Sequence, residues 1–318
     1  MKTHLVTGGA GFIGSHIVEA LVARGDRVRV LDNLSTGNAE NLDAFENVEL
    51  VAGDLSDAKR VAQSVAGVDC IFHQAALASV PLSVDAPLAT NAACVTGTLT
   101  LLDEARKAGV RRVVYAASSS AYGDQPYASK RECDPPAPLS PYAAAKLAAE
   151  HYCQAFYRTY GLETVCLRYF NVFGPRQDPG SPYSAVIPLF IMSLLKGDRP
   201  TIYGDGEQTR DFTFVANVVQ GNLLAAEADD VAGRTMNLAN GRSLSLLDLL
   251  RSLNHLLGTD VQPIFKPARA GDVRDSLADI TLARKYLAYE PQVGFDEGLR
   301  RSIDYYRSLA SGSPAGGG

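Results

Sequence analysis

The stretch VTGGAGFIGSH, residues 6–16, follows a short apolar run and leads into a helical pattern. Gly8, Gly11 and Gly14 recur at every third position, and Gly9, Gly11 and Gly14 also satisfy G-x-G-x-x-G. Such glycines permit a tight turn, close approach of the backbone to a pyrophosphate and close packing of a helix on a strand. Because a strand precedes the glycines and a helix follows them, the stretch predicts a dinucleotide-binding turn.

An acidic residue ends the second predicted strand, RVRVLDN, where a ribose-binding carboxylate is expected. Asp32 lies about 20 residues beyond the glycines, the usual spacing in such units. A carboxylate accepts hydrogen bonds from both ribose hydroxyls and repels a 2′-phosphate, and residues 33–38 contain no arginine. The sequence therefore favours NAD over NADP. Asp54, at the end of VAGD, is placed to contact the adenine.

Apolar strands and helical stretches alternate through the first half of the chain. This pattern predicts an α/β fold with a doubly wound parallel (Rossmann) sheet, covered on both faces. After Phe173, clustered Gly, Pro and Asp indicate loops and a smaller mixed α/β region. The predicted units are an NAD-binding domain at 1–175, to which some later segments return, a substrate domain at 176–310 and a disordered tail at 311–318. Helices are predicted over residues 13–24, 58–65, 89–107, 141–160, 186–195, 217–228, 246–257 and 295–309.

The composition is that of an ordinary globular protein, with 46% hydrophobic residues and a formal net charge of −5. This balance, with no run of Lys or Arg, argues against a nucleic-acid surface. The five cysteines are widely spaced and form no C-x-x-C pair, which predicts free thiols in a reducing cytoplasm and no metal site. The longest apolar stretch, residues 186–195, is too short to cross a membrane.

The stretch SPYAAAK, residues 140–146, places a phenol and an ammonium on one helix face, because Tyr142 and Lys146 are four residues apart. An adjacent ammonium and a cationic nicotinamide would both favour the phenolate, so Tyr142 could act as a base near neutral pH. Ser118 opens a serine cluster at the end of the fifth predicted strand, where ligands of such sheets bind. A hydroxyl there could share the substrate's proton with Tyr142. His73 fits a packed core histidine better than a catalyst.

Eight stretches together resemble the extended short-chain dehydrogenase/reductase family and, within it, the UDP-hexose 4-epimerases. They are TGGAGFIGSH, DNLSTGN, FHQAALASVPLSV, SSSAYGD, SPYAAAK, LRYFNVFGPRQ, GDGEQTRDF and RAGDVRDSLADI, and they span nearly residues 3–305. The resemblance is greatest to bacterial UDP-N-acetylglucosamine 4-epimerases of polysaccharide biosynthesis. It implies a UDP-hexose substrate, NAD as a tightly held cofactor, and a homodimer formed through the helices at 89–107 and 141–160.

Residue roles follow from the resemblance position by position. The implied catalytic residues are Ser118, Tyr142 and Lys146, with Lys146 also orienting the nicotinamide ribose. The implied cofactor-binding residues are Gly8, Gly11, Phe12, Ile13, Gly14, Asp32, Asn33, Ser35, Thr36, Gly37, Asp54, Leu55, Gln74, Ala75, Ala76, Asn91 (as a buried asparagine), Tyr142, Lys146 and Tyr169. The implied substrate-binding residues are Ser79, Ser118, Ser119, Ser120, Tyr142, Asn171, Ala185, Val186, Tyr203, Arg210, Arg269, Asp272 and Ser276, with the two arginines on the diphosphate.

Four positions sort the chain within that family. Dehydratases and decarboxylases carry an acid directly after the catalytic hydroxyl, whereas Ser119 and Ser120 stand here, so elimination lacks its acid. Glucuronate 4-epimerases carry arginine where Asp178 stands, and an aspartate would repel a carboxylate, which favours a neutral hexose. Ser276 occupies a position that is tyrosine in epimerases restricted to glucose and galactose, so it leaves room for an acetamido group.

The expected function is an NAD-dependent 4-epimerase that interconverts UDP-glucose and UDP-galactose, and UDP-GlcNAc and UDP-GalNAc as well, through a transient 4-keto sugar. Alternatives stay open at this stage. One is a UDP-glucuronate 4-epimerase or decarboxylase, or another NAD-dependent oxidoreductase or lyase acting on a nucleotide sugar. Another is a non-enzymatic nucleotide-sensing protein, although such a protein would be expected to lose part of the Ser–Tyr–Lys set. Pocket size could also be set away from Ser276.

Overall fold

The computed structural model describes residues 1–127, 129–180, 185–268 and 273–310, so the predicted tail lies outside it. The strands are β1 (Thr3–Thr7), β2 (Arg27–Asp32), β3 (Val48–Ala52), β4 (Cys70–His73), β5 (Arg112–Ser118), β6 (Glu163–Tyr169), β7 (Val172–Phe173), β8 (Thr201–Tyr203), β9 (Thr209–Asp211), β10 (Thr213–Phe214), β11 (Thr235–Leu238), β12 (Ser243–Ser245), β13 (Ile264–Lys266) and β14 (Asp275–Ser276). The helices are α1 (Phe12–Ala23), α2 (Ala58–Val65), α3 (Val80–Asp85), α4 (Pro87–Asn91), α5 (Gly97–Lys107), α6 (Pro141–Tyr160), α7 (Val186–Leu195), α8 (Val215–Glu227), α9 (Leu246–Leu257), α10 (Thr281–Leu287) and α11 (Phe295–Ala310).

A seven-stranded sheet in the order β11-β6-β5-β4-β1-β2-β3 forms the centre of the molecule, and each neighbouring pair is parallel. The strand order reverses between β1 and β4, so the carboxyl ends of these two strands border a crevice where ligands bind in such sheets. The prediction of a doubly wound Rossmann sheet is confirmed. β11 comes from beyond residue 175 and pairs with β6, whereas the domain division at that residue stays a prediction.

Each central strand buries side chains on both faces, which explains its continuous apolar sequence. Leu5 and Ile71 belong to the core on the side of α2, α5 and α6. The next residues along the same two strands, Val6 and Phe72, belong to the core on the side of α1 and α8. Since successive side chains of a strand point to opposite faces, both layers of helices hold the sheet in place.

Local signals fix the helix that carries SPYAAAK. The Ser140 hydroxyl accepts a hydrogen bond from the Ala143 N–H at 3.2 Å, and Pro141 occupies the first turn, where its missing N–H is not needed. The helix ends at Gly161, which has the left-handed conformation with φ of 74°. The predicted range of 141–160 is therefore correct, as are those of 58–65, 186–195 and 246–257.

The prediction of one regular helix at 89–107 is wrong. Helix α4 begins at Pro87 and ends at Asn91, a π-helical turn spans Ala92–Thr96, and α5 begins at Gly97. A π turn contains an extra residue and changes which side chains face the sheet. The short helices α3 and α10 were also not predicted, because six or seven residues give too few repeats for a clear periodicity.

Among the described residues, three small sheets accompany the central one. β9 pairs with β12 on one side and with β14 on the other, while β7 pairs with β10 and β8 with β13. The pairing of β14 with β9 brings residues 275–276 next to residues 209–210. In the part of the chain that the structure describes, no helix is both long and apolar enough to cross a membrane.

Candidate active site

The glycine turn joins β1 to α1 at the crevice. Gly8 has φ of 68°, a conformation that side chains disfavour, and a Cβ there would lie 2.7 Å from the Ala75 nitrogen. A Cβ on Gly14 would collide with the carbonyl oxygen of Gly8. Gly11 caps α1 without any side-chain partner, so the first N–H groups of the helix stay open toward the crevice. This arrangement fits an anionic pyrophosphate.

A cavity of about 680 Å³ opens along this edge of the sheet. It collects most of the residues that the sequence singled out, from the glycine turn at one side to the Ser–Tyr–Lys set at the other. The predicted residues that line it are Gly8, Gly11, Phe12, Ile13, Gly14, Asp32, Asn33, Ser35, Thr36, Gly37, Asp54, Leu55, Gln74, Ala75, Ala76, Ser118, Ser119, Ser120, Tyr142, Lys146, Tyr169, Asn171, Arg210 and Ser276.

The end of the cavity near β2 presents two carboxylates that the backbone holds in place. Asp32 is buried and accepts hydrogen bonds from the N–H groups of Ala10 at 3.0 Å and Leu34 at 2.8 Å. Asp54 accepts from the Ser56 N–H at 2.8 Å, and this bond lowers the pKa of Asp54 against the effect of burial. The lining residues at 31–37 and 53–55 include no Lys or Arg. An uncharged ribose with two free hydroxyls fits this end, and a 2′-phosphate does not.

The other end of the cavity contains the serine cluster. Strand β5 ends at Ser118, and a 3-10 turn over Ser119–Tyr122 follows. The Ser118 hydroxyl accepts from the Ser120 N–H at 3.2 Å and from the Ser120 hydroxyl at 2.8 Å. Its own proton is therefore free to point elsewhere, and a hydrogen bond with the Tyr142 phenol is one of the contacts that set the properties of that phenol.

Tyr142 is half-buried, and its pKa departs from the expectation drawn from the sequence. Burial of the phenol and the nearby Cys94 raise the pKa of Tyr142 to about 12, while the hydrogen bond with Ser118 lowers it in part. The ammonium of Lys146 lies over the ring of Tyr115, with Nζ 4.5 Å from the ring centroid.

His73 is a packed core histidine, as the sequence suggested. Its Nδ1 lies 2.7 Å from the Thr7 hydroxyl and its Nε2 lies 2.8 Å from the Thr98 hydroxyl. Because Thr98 donates its own proton to the Cys94 carbonyl, it accepts from Nε2–H, and Nδ1 accepts from Thr7. Burial lowers the pKa of His73 to about 3, so the imidazole is neutral.

The phenol of Tyr169 is likewise occupied by neighbours. It donates to the side-chain amide oxygen Oδ1 of Asn222 at 2.9 Å and accepts a hydrogen bond from the side-chain amide of Gln74 at 3.1 Å. Burial raises the pKa of Tyr169, so the phenol stays neutral. Tyr169 therefore lines the cavity in a fixed position, which is consistent with flanking a planar ring. Its neutral, hydrogen-bonded phenol is unsuited to act as an acid or a base.

The outer part of the cavity is formed by Asn171, Arg210 and Ser276. Asn171 has φ of 32°, and its carbonyl accepts a hydrogen bond from the Thr213 N–H at 3.2 Å. The Arg210 guanidinium donates to the carbonyls of Thr209 at 2.8 Å and Arg274 at 3.2 Å. A cation held in this way at the cavity wall suits a diphosphate.

Several predicted residues do not line the cavity. The expectation of a buried Asn91 is wrong, because Asn91 is exposed at the end of α4 and the π turn places Ala93 on the cavity instead. The Ser79 hydroxyl caps α3 by accepting from the Leu82 N–H at 3.1 Å. The remaining predicted residues that are not at the wall are Ala185 and Val186, at the start of α7, and Tyr203, whose strand β8 pairs with β13.

Three further positions that the sequence singled out are Arg269, Asp272 and Asp178. Arg269 and Asp272 lie outside the residues that the structure describes. Asp178 is exposed, and one of its carboxylate oxygens accepts from the Gly180 N–H at 2.7 Å. Since Asp178 does not line the cavity, the structure gives no support to the argument that it repels an acidic sugar.

Sequence reasoning missed several lining residues. They are Leu31, Gly53, Leu77, Ala78, Val80, Ala93, Ala116, Ala117, Tyr122, Gly123, Lys130, Val172, Gln177 and Val273. Most are direct neighbours of predicted residues at strand ends, so extending each motif by two residues would have found them. Lys130 has no such signal, because it reaches the cavity through a bridge to Ala278. No group of three or more His, Cys, Asp or Glu side chains able to hold a metal ion occurs among the described residues.

A doubly wound parallel sheet, a glycine turn at a helix N-terminus, a ribose-facing carboxylate and a Ser–Tyr–Lys set at one cavity define a nicotinamide-dinucleotide-dependent enzyme. The chain belongs to the NAD dependent epimerase/dehydratase family, whose model matches residues 4–239. The predictions of family, NAD cofactor and enzyme are thereby confirmed.

Relatives match along nearly the whole chain. The UDP-glucose 4-epimerase of Mycolicibacterium smegmatis is 40% identical over 97% of this chain and 99% of its own. The structure of the UDP-glucose 4-epimerase of Thermotoga maritima with UDP-glucose is 39% identical, with a TM-score of 0.93 over 97% of this chain and 99% of that chain. The UDP-N-acetylglucosamine 4-epimerase of Methanobrevibacter ruminantium M1, in complex with UDP-N-acetylmuramic acid, is 41% identical with the same TM-score and coverage.

Proposed function

We propose that this protein is a 4-epimerase of UDP-hexoses that interconverts UDP-glucose and UDP-galactose, and the corresponding N-acetylated pair. The observation that carries the proposal is one cavity that holds Asp32 at one end, Ser118, Tyr142 and Lys146 at the other, and Arg210 at its outer wall. The similarity to epimerases of both UDP-glucose and UDP-N-acetylglucosamine supports the choice of substrate.

The cofactor has a fitting place among these residues. The helix N-terminus at Gly11 would hold the pyrophosphate, Asp32 the adenosine ribose and Lys146 the nicotinamide ribose. Bound NAD⁺ supplies the chemistry of taking a hydride from C4 of the hexose and returning it to the opposite face, so that no net oxidation occurs.

Tyr142 and Ser118 move the proton that accompanies the hydride. Tyr142 accepts the proton of the C4 hydroxyl, directly or through Ser118, and gives it back after the sugar has turned. With the pKa of Tyr142 raised to about 12 in the protein alone, the phenolate requires a positive charge beside it. Beside a bound, oxidised nicotinamide the Tyr142 phenolate would have such a charge, and the strength of the base would then depend on the oxidation state of the cofactor.

The substrate must be held at its nucleotide while its sugar turns. Arg210 and Asn171 would hold the diphosphate throughout the reaction. Because these contacts are remote from C4, they leave the hexose free to turn and present either face. Arg269 and Asp272 remain predicted partners of the substrate. The positions after Ser118 are Ser119 and Ser120, which carry no carboxylic acid, so elimination of water lacks its proton donor. These features favour epimerisation over dehydration.

Ser276 is proposed to admit the acetamido group of N-acetylated sugars. It lies at the cavity wall and has a small side chain, whereas a tyrosine there would fill the space. Preference for a neutral hexose over a glucuronate rests on the relatives, since Asp178 is not at the wall.

The protein is further proposed to work as a cytoplasmic homodimer in polysaccharide biosynthesis. Exposed apolar side chains lie along α3, α4 and α6, among them Val84, Leu88 (85% exposed) and Tyr152. These helices pack against one another within the chain, so their outer face could pair with the same face of a second copy. Gel filtration with light scattering at micromolar concentration would give about twice the chain mass for a dimer and the chain mass for a monomer.

Product analysis tests the proposed activity. Purified protein is incubated with UDP-glucose and, separately, with UDP-GlcNAc, and the products are separated by chromatography. Appearance of the C4 epimer without accumulation of NADH is expected. Stoichiometric NADH would indicate net oxidation or a lyase instead. Tyr142→Phe is expected to lose at least about a hundredfold in rate, and wild-type rate in this variant would contradict the scheme.

A further inference from the structure

The ammonium of Lys146 is buried without a carboxylate partner. The residue is 4% exposed, and among the described residues no carboxylate lies within ion-pair distance of it. The contact that the ammonium does make is with an aromatic face, since Nζ lies 4.5 Å from the ring centroid of Tyr115. A desolvated cation over an aromatic ring is stabilised by the ring quadrupole.

Tyr115 is itself fixed from three sides. It lies in β5, fully buried, and its hydroxyl donates to the Lys146 carbonyl at 3.3 Å. Its ring packs on the His73 imidazole with centroids 5.4 Å apart and an interplanar angle of 40°. His73 is held in turn by Thr7 and Thr98. The ring thus has a defined position under the lysine, independent of any bound molecule.

We propose that Tyr115 is a positioning residue for Lys146 and that the face of the Tyr115 ring holds the lysine ammonium at the Ser–Tyr–Lys end of the cavity. Its consequence for catalysis rests on the proposed function, whereas the contact itself does not. Tyr115 lies outside the Ser–Tyr–Lys pattern, three residues before Ser118 on the same strand, so one strand carries both the reactive hydroxyl and the support of the ammonium.

Among the groups around the Lys146 ammonium, the Tyr115 ring is the main one that stabilises its charge. Lys146 faces Cys153 from its own helix, Cys94 from the π turn, His73 from β4, Tyr115 from β5 and Cys166 from β6. His73 is neutral, because burial lowers its pKa to about 3. Burial lowers the pKa of Lys146 below its ordinary value, so loss of the ring face would lower it further.

Two variants of Tyr115 separate the ring from the hydroxyl. Tyr115→Phe keeps the ring and loses only the hydrogen bond to the Lys146 carbonyl, whereas Tyr115→Leu removes the ring. Tyr115→Met, which is longer and more flexible and so adapts better to the space, serves as the second ring-free variant if Tyr115→Leu does not fold. Unfolding midpoints of the purified apo variants are measured from pH 6 to 10, and kcat and KM are measured at the same pH values.

The proposal predicts a pH-dependent difference between the ring-free and the Phe variants. Below the folded-state pKa of Lys146 the ammonium is charged in both variants, so the ring-free variant unfolds at a lower temperature. As the pH rises through that pKa, folded Lys146 loses its proton and the difference shrinks. For the reaction, kcat at pH 7 should fall roughly tenfold in the ring-free variant with little change in KM, and Tyr115→Phe should recover most of it.

A difference in unfolding midpoint that is constant from pH 6 to 10 would overturn the proposal, because it would reflect only lost packing. Equal behaviour of the Phe and ring-free variants would overturn it as well. If the wild type shows no epimerase activity, the proposed function fails, and the pH dependence of unfolding still decides the role of Tyr115.

Discussion

Ser276 lies directly beside Arg210, because β14 and β9 pair in parallel with these two residues as partners. Both side chains line the outer part of the cavity. The residue proposed to hold the diphosphate and the residue proposed to admit the sugar substituent are thus neighbours on two strands, although they are 66 positions apart in the sequence. A larger side chain at position 276 would therefore reduce the space where the proposed diphosphate and sugar positions meet.

Ser276→Tyr is expected to discriminate against N-acetylated sugars. The added ring occupies the space proposed for the acetamido group, so kcat/KM for UDP-GlcNAc should fall at least about tenfold more than that for UDP-glucose. Side-by-side kinetics on four UDP-hexoses measure the ratio. Ser276→Ala is the matched control, since it keeps the volume small, and it should retain the wild-type ratio. Equal losses on all four sugars would show that pocket size is set elsewhere.

Asp32→Asn should weaken binding of NAD. The carboxylate is buried and already held by the N–H groups of Ala10 and Leu34, so it can accept from the ribose without moving. Hydrogen bonds to a charged acceptor contribute more than those to an amide, which predicts a roughly tenfold to hundredfold rise in Kd for NAD. Titration calorimetry on the apo protein measures it. Affinity for NADP should fall less or rise, because the repelling charge is gone.

Asp43→Asn provides the control for this experiment, because it makes the same change of charge at an exposed position. It should leave both affinities unchanged. If Asp32→Asn bound NAD as tightly as the wild type, the assignment of Asp32 to the ribose would be wrong.

Much of the site could be predicted from the sequence because its parts are local in the chain. Gly8 to Gly14 form one turn, Tyr142 and Lys146 share one helix, and Ser118 ends one strand, so spacing alone fixes their relation. The proximity of Arg210 and Ser276 could not be predicted from spacing, because it depends on pairing between two strands that are far apart in the chain. Asn91 was assigned from the resemblance alone, and the π turn that follows it brings Ala93 to the cavity wall instead.

The pKa of Tyr142 could not be predicted from spacing either. Four residues of separation put Lys146 on the same helix face, but the lysine ammonium is directed to the ring of Tyr115. Which neighbour a long side chain selects depends on burial and on rings from other strands, and neither is encoded in the helix itself.

Asp211, the residue after Arg210, should make stability depend on pH. It is fully buried, and its carboxylate accepts from the N–H groups of Asn240 at 2.9 Å, Gly241 at 3.0 Å and Ala278 at 3.3 Å. Burial outweighs these bonds and raises the pKa of Asp211 to about 7 from an ordinary value of 3.8. The folded state therefore binds the proton more tightly than the unfolded state, and this group's contribution to stability falls as pH rises from 4 to 7.

Asp211→Asn removes that titration. The free energy of unfolding of the wild type relative to this variant should be highest near pH 4 and should decline toward pH 7, as measured by urea unfolding across this range. Asp229→Asn, an exposed position, serves as the control and should give a flat difference. A flat difference for Asp211→Asn would mean that the carboxylate titrates at its ordinary value.

Glu150→Gln should destabilise the fold more than the same kind of substitution at an exposed carboxylate. Glu150 on α6 and Arg168 on β6 are both buried and form two hydrogen bonds, of 2.9 and 2.7 Å. The guanidinium also lies over the Tyr122 ring, with its central carbon 4.6 Å from the centroid. Loss of the negative charge leaves a buried cation without compensation, which costs about 3–5 kcal/mol. Urea unfolding at pH 7 measures the change.

The control for Glu150→Gln is Glu297→Gln, which breaks exposed pairs with Arg300 and Arg301 and should leave the midpoint of unfolding in place. Glu150 lies on the helix that carries Tyr142, and Arg168 directly precedes Tyr169, so the buried pair connects two walls of the cavity. The Gln variant should accordingly lose affinity for NAD along with stability. If the free energy of unfolding fell by less than about 1 kcal/mol, the attraction within the pair would barely exceed the cost of removing both charges from water. Packing alone would then hold α6 on the sheet.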